Sequence, residues 1–399
     1  MRDLARRIDA ATPPDRDRAA DALRAVAILG VVLGHWLVTA LVADSGTVRV
    51  GSPLRQMLQL APVSWLLQTM AVFFLVGGQM AARSHINALG RGRTYRRWLT
   101  ARMARLFRPV IVVAAVWSVV AGAMLASGAD PNTVRALVKL VLSPMWFLLV
   151  FAALTAATPL VARLHPLWPL AVVALVDLVR YGLGGPAWLG WTNVATGWLV
   201  PYCLGAAWAR GDLRGRTTGW ALLLGGGAAT AALVLWAGYP ASMVGVPGAP
   251  ISNQSPPTLA AVAFGLTQCG AALLLLGPLR RVLTRHPAAW AVVALVNLSA
   301  MTIFLWHQTA LIAVTAIGLL ADGPLPGLHT VPDDPGWLLA RLAWLPVFAL
   351  ALLVCWTAFH AYERCPRPPT EPPASSVCRT CSGDDRLPSP RCCQGSATF

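Results

Sequence analysis

Apolar residues in this chain come in runs of about 20, each long enough to cross a ~30 Å hydrocarbon core as an α-helix. The runs cover roughly 22–43, 60–82, 109–127, 138–160, 166–183, 188–209, 218–238, 258–279, 298–320 and 337–361. A water-soluble fold cannot bury that many, and in lipid every backbone polar group has to be satisfied within its own segment. The expectation is therefore an all-α, polytopic transmembrane helix bundle of about ten helices. Only 12% of the residues are charged, about half the share in a soluble domain.

The net charge of +16 does not point to nucleic acid, because its arginines are confined to short segments between apolar runs. With the N-terminus inside, the inner segments collect Arg2, Arg6, Arg7, Arg16 and Arg18, the stretch Arg83 to Arg108, Arg210, Arg214 and Arg216, and Arg280, Arg281 and Arg285. The outer loops keep Arg49, Arg55, Arg135 and Lys139, the single lysine, beside acids such as Asp44, Asp130, Asp322, Asp333 and Asp334. By the positive-inside rule both termini face the cytoplasm. No small-residue cleavage site follows the first run, which reads as a permanent helix.

Three parts follow: a polar cytoplasmic segment over 1–20, a transmembrane domain over 21–362, and a tail over 363–399. The tail is rich in Pro, Ser, Arg and Cys and reads as disordered; Cys378, Cys381, Cys392 and Cys393 lack the spaced His pair of a zinc finger, and no metal is expected. Cys203, Cys269 and Cys355 fall within apolar runs as packing residues. The apolar stretch 288–321 is too long for one crossing and is expected to break near Asn297-Leu298-Ser299. The 239–257 loop reads as a plain outer loop or as one bordering a cavity.

Ionisable groups inside a span are costly and mark function by default. In the first run Arg24 and His35 are eleven residues apart, about three turns, so they share a face, with the imidazole roughly 16 Å deeper. Asp21, three residues before Arg24, is placed to support it. A guanidinium grips phosphate in bidentate fashion, and an imidazole takes a hydroxyl proton near neutral pH. The competing reading has Arg24 snorkelling to headgroups and His35 bonded to a neighbouring helix. His307 is the second mid-span histidine, read as orienting an acceptor or assisting proton movement, or else as an inter-helix hydrogen bond; Asp177 and Arg180, three apart, read as a structural pair.

Arg18-x-x-Asp21-x-Leu23-Arg24 with His35 resembles the opening of the acyltransferase 3 family. Val72-Phe73-Phe74-Leu75-Val76-Gly77-Gly78 resembles its second-helix FFxxSG segment, and Arg102-Met103-Ala104-Arg105-Leu106-Phe107-Arg108-Pro109 its basic segment before the third helix. Met145-Trp146-Phe147-Leu148 and Ile303-Phe304-Leu305-Trp306-His307 resemble its later Trp-Phe-Leu and Tyr-Leu-x-His segments. The resemblance spans about 18–360, with Gly77 where the family commonly has Ser and Phe304 where it has Tyr.

The resemblance implies a membrane acyltransferase that moves an acyl group, acetyl foremost, from cytoplasmic acyl-CoA to a hydroxyl of a glycan, a lipid or a small molecule. On that reading His35 and His307 are catalytic and Arg24, Arg102, Arg105 and Arg108 hold the polyanionic acyl-CoA, for which positive-inside anchoring is the alternative role. Acetyl-CoA is then a co-substrate, the other partners are membrane lipids, and an Ala/Val/Arg-rich composition suits a bacterial cytoplasmic membrane. Trp146, Asn193 and Asn297 are the oxyanion-donor guesses. The reading from another class is a transporter or exporter without acyl-transfer chemistry, compatible with buried ionisable groups but lacking an evident internal repeat.

Overall fold

A computed structural model describes residues 2–44, 47–213, 215–246 and 251–363. The chain begins with a short amphipathic helix, α1 (Arg2–Ala10), and enters α2 (Arg18–Val38) through the Asp17 carboxylate, which accepts from the Ala20 amide. The first apolar run is not all helix. It stops at Thr39 and turns into an antiparallel hairpin, β1 (Ala40–Asp44) and β2 (Thr47–Gly51), paired from Ala40 with Gly51 to Asp44 with Thr47. β-Branched residues at 42, 47, 48 and 50 favour extended backbone there.

A short helix α3 (Pro53–Gln56) precedes the expected second span, α4 (Ala61–Ser64) occupies its start, and α5 (Met70–Gly90) starts ten residues later than expected. Pro53 and Pro62, each in a first turn, account for the interruption. α6 (Tyr95–Ala126) starts well before its apolar run, capped by Thr94. Its 32 residues reach about 48 Å, more than the hydrocarbon thickness, so its arginine-bearing first turns extend out of the core.

α7 (Pro131–Leu142), α8 (Trp146–Ala156) and α9 (Thr158–Val161) follow, then α10 (Leu167–Asp177), which widens into a π turn at Leu178–Gly182. The remaining helices are α11 (Thr192–Arg210), α12 (Arg216–Leu235), α13 (Leu259–Arg285), α14 (Pro287–Leu298), α15 (Ala300–Gly318) and α16 (Pro335–Phe359). The expected break in the 288–321 stretch falls at Ser299, between α14 and α15. Among the described residues, seven segments are long and apolar enough to cross a bilayer: α2, α6, α7 with α8, α12, α13, α15, and α16 extended to Tyr362. A count of ten additionally takes α5, α10 with its π turn, and α11. The tail beyond 363, with its Cys-x-x-Cys, and residues 247–250 of the 239–257 loop lie outside the described residues.

In lipid, helices associate through close packing, since burial against another helix gains little over burial against acyl chains. α5 and α11 show this at backbone level. A Cβ on Gly78 would meet the Tyr202 oxygen at 2.2 Å, and one on Gly205 the Leu75 oxygen at 2.0 Å. α2 seats against the start of α5 in a related way: a Cβ on Gly30 would lie 2.6 Å from Thr69 Oγ1, which donates to the Ala27 oxygen at 2.7 Å. Cys203 and Cys269 are fully buried in this packing.

The 239–257 loop is held by its polar side chains. Asn253 Nδ2 donates to the Pro240 and Ser242 oxygens, its Oδ1 accepts from Thr258, and Gln68 Nε2 donates to the Met243 oxygen.

Candidate functional site

Between α2, α5, α6, α8 and the first turns of α15 lies a cavity of about 340 Å³. Arg24, Arg93, Arg97, Arg102 and Arg105 line it together with the apolar Ile28, Phe73, Phe147, Phe151 and Phe304. Three of the four arginines expected at the anion site therefore share one cavity. Arg93 and Arg97 join them unforeseen; both sit in the basic stretch, Arg97 eight residues before Arg105 on α6 and Arg93 immediately before the Thr94 cap.

Arg108 does not line the cavity and is exposed. The three-residue spacing explains this, since each such step falls about 60° short of a full turn and swings Arg108 some 120° away from Arg102. Arg102 is positioned by a hydrogen bond to the Met80 oxygen at 3.1 Å and by the Trp98 ring below its guanidinium. Gly77 is also on the wall, and a Cβ there would meet Phe151 Cε2 at 2.4 Å, so the ring occupies the space that a serine would need.

Asp21 is buried and takes Arg16 in a two-pronged ion pair, 2.6 Å at the shorter contact. Its main-chain oxygen accepts from Asn297 Nδ2 at 2.7 Å, which ties α14 to the start of α2. Asp17, just outside α2, pairs with Arg280. Burial pushes the Asp17 carboxyl up, but the Arg280 hydrogen bond and charge, with the Ala20 and Ala19 amides, outweigh it and leave the pKa below its ordinary value.

Beyond Phe304 the two mid-span histidines meet. The His35 and His307 rings lie 5.1 Å apart between centroids, at 41°, and Phe304 stands 5.7 Å from the His307 ring. His307 is 1% exposed. Its Nδ1 is 2.6 Å from the Phe304 oxygen, and because a carbonyl only accepts, Nδ1 carries the proton. In the neutral ring Nε2 then presents a lone pair, and that atom is buried with no partner among the described residues. His329 contrasts with it: Nδ1 accepts from the Leu325 amide and Nε2 donates to the Thr315 oxygen, so both nitrogens are spent on structure.

Two residues absent from the sequence reading hold this pair in place. Trp36, next to His35, donates its indole N–H to the His307 oxygen at 2.9 Å. Arg341, on α16, is fully buried and donates to three carbonyls: Trp36 at 2.6 Å, Thr39 at 2.6 Å and Gly327 at 2.8 Å. The first two are at the C-terminal end of α2, where a cation meets the negative end of the helix dipole. The only available sequence signal was an arginine inside an apolar run, the same signal that singled out Arg24.

The three oxyanion-donor guesses are placed elsewhere or spent. Asn193 Nδ2 donates to Asp177, Asn297 Nδ2 donates to the Asp21 and Val293 oxygens, and Trp146 packs beside Trp198 without lining the cavity. Asp177 gives its carboxylate to Asn193, Tyr239 and the Leu259 amide, while Arg180 stacks on Tyr181. Asp177 thus serves as a junction of α10, α11 and α13.

A family model described as an acyltransferase domain (Acyl_transf_3) matches residues 17–360, nearly the whole chain. With its long apolar helices, this makes the protein a multi-pass membrane acyltransferase. The chain belongs to the acyltransferase 3 family that its helix motifs resemble. No curated protein and no solved structure matches it.

Proposed function

We propose that this acyltransferase takes its acyl group, acetyl foremost, from cytoplasmic acyl-CoA and transfers it to a hydroxyl of a glycan, lipid or small molecule in the cytoplasmic membrane. The observation that carries this reading is the cavity itself, lined by five arginines and apolar side chains, with the His35–His307 pair one turn beyond its lining residue Phe304. Acyl-CoA has the matching polarity, a phosphate-rich head on an extended pantetheine arm. Guanidinium groups pair with phosphate bidentately, and the apolar lining suits the arm and the thioester.

In the reaction, the acceptor oxygen attacks the thioester carbonyl carbon while His35 takes the hydroxyl proton. The carbonyl oxygen becomes an oxyanion, the C–S bond then breaks, and the CoA sulfur leaves with a proton returned by the imidazolium. His307 offers its Nε2 lone pair beside His35 as the second proton-accepting site. Arg24, Arg93, Arg97, Arg102 and Arg105 hold the anionic head, and Phe304 borders both the cavity and the His307 ring.

The test is release of CoA from acetyl-CoA by purified full-length protein with a panel of sugar and lipid acceptors, wild type beside His35→Ala. Acceptor-dependent release that disappears in the variant supports the assignment. Absence of release from folded wild type, across several acyl-CoAs, overturns it.

A further inference from the structure

Gln308 is 1% exposed, and both atoms of its carboxamide, Nε2 and Oε1, are buried without a hydrogen-bond partner among the described residues. A buried amide left unmade on both sides is destabilising, and native proteins keep such groups where a ligand completes them. Its neighbour His307 leaves its own Nε2 unpartnered in the same turn.

Helix geometry places Gln308 one turn beyond the part of α15 that lines the cavity, whose lining includes neither it nor His307. Met301 and Phe304, which line that cavity, precede Gln308 by seven and four residues, so all three share a face of α15. The Gln308 Cα therefore lies about 6 Å beyond that of Phe304, on the turn that carries the His307 imidazole. The side-chain amides weighed for the oxyanion from sequence, Asn193 and Asn297, have their N–H groups spent. His307 cannot donate from Nε2 while its Nδ1 proton is held by the Phe304 oxygen.

We infer that Gln308 supplies the oxyanion-stabilising N–H of the acyl transfer, its Nε2 donating to the thioester carbonyl oxygen as that oxygen gains charge. This rests on the acyl-transfer reading above. When the acceptor oxygen bonds to the carbonyl carbon, the carbonyl π pair moves to oxygen, where the Gln308 N–H meets it. When the C–S bond breaks that pair returns to the carbonyl, and the CoA sulfur leaves as the thiol with the proton returned by the His35 imidazolium. Because the interaction strengthens only as charge develops, it lowers the barrier rather than tightening ground-state binding.

The experiment compares wild type, Gln308→Met and Gln308→Leu as full-length protein, measuring kcat, the KM for acetyl-CoA and for an active acceptor, and Tm. Both variants remove the unmet polar atoms at similar volume, so Tm is expected to hold or rise, while kcat falls about 10²–10³-fold with both KM values within about twofold. A kcat close to wild type, a raised acceptor KM with kcat retained, or a Tm that falls along with activity each overturns the assignment. Wild type that releases no CoA with any acyl-CoA and acceptor overturns the acyl-transfer reading and this assignment with it. An active wild type beside equally active variants removes Gln308 alone.

Discussion

The Trp36 indole donates to the His307 main-chain oxygen at 2.9 Å, so α2 and α15 are tied one residue from the first histidine and at the second. Bonding to the main chain fixes the separation of the two helices without occupying either imidazole. Trp36→Phe should keep the apolar packing against Phe348 and lose only this bond. A loss of about 1 kcal/mol in stability is expected, with kcat reduced about tenfold through misplacement of the histidines. Thermal unfolding beside steady-state kinetics separates the two effects.

Arg341 extends the same tie to α16. Arg341→Met leaves the Trp36, Thr39 and Gly327 oxygens without their buried donor, an expected cost of about 3 kcal/mol. Arg341→Lys keeps the charge but cannot span three carbonyls with one ammonium, so intermediate stability is expected. Tm of the three proteins in one detergent checks the order wild type, Lys, Met.

The five cavity arginines and Arg108 offer an internal comparison. Arg97→Ala and Arg105→Ala should each raise the acetyl-CoA KM about tenfold, close to 1.4 kcal/mol of binding, while Arg108→Ala leaves it near wild type. Equal effects at all three positions would argue for general surface charge over a built anion site. The acetyl-CoA KM should also rise with salt, because exposed charges are screened within a Debye length of about 8 Å at physiological ionic strength.

The Asp17–Arg280 pair makes a pH prediction. Since the Asp17 pKa is lowered in the folded protein, its contribution is fully present above the unfolded carboxyl value near 4 and is lost as pH falls through the folded value. Asp17→Asn should therefore lower Tm at pH 7 and converge with wild type in acid. Asp17→Ala also removes the N-cap of α2 and should cost about 1 kcal/mol that acid does not erase. Tm measured from pH 7 to pH 3 distinguishes them.

Much of the bundle was legible because apolar runs and arginine-rich intervals act locally, and Arg24, His35 and His307 stood out as polar groups in apolar surroundings. The boundaries that failed did so for local reasons as well: residues 40–43 are as apolar as the helix before them yet pair with β2, and prolines interrupt 53–64. What could not be read was partnership. Arg341 meets Trp36 across 305 residues of sequence, and nothing near position 341 announces it. Arg108 illustrates the converse, a correct residue type in a basic motif turned away by 3.6-residue periodicity.

The backbone contact at Gly78 and Gly205 has a mechanical consequence. Two helices that interlock main chain against main chain cannot slide past one another, so α5 and α11 act as a single stiff post. α6 is the opposite case: it buries only Trp98, Leu106, Pro109, Val113 and Trp117 of its 32 residues, and Pro109 removes one rung of its ladder just past the arginines. It also carries Arg97, Arg102 and Arg105. The wall of the cavity that bears most of its charge is thus the one with the fewest buried side chains and a broken hydrogen-bond rung, set against the interlocked α5–α11 pair.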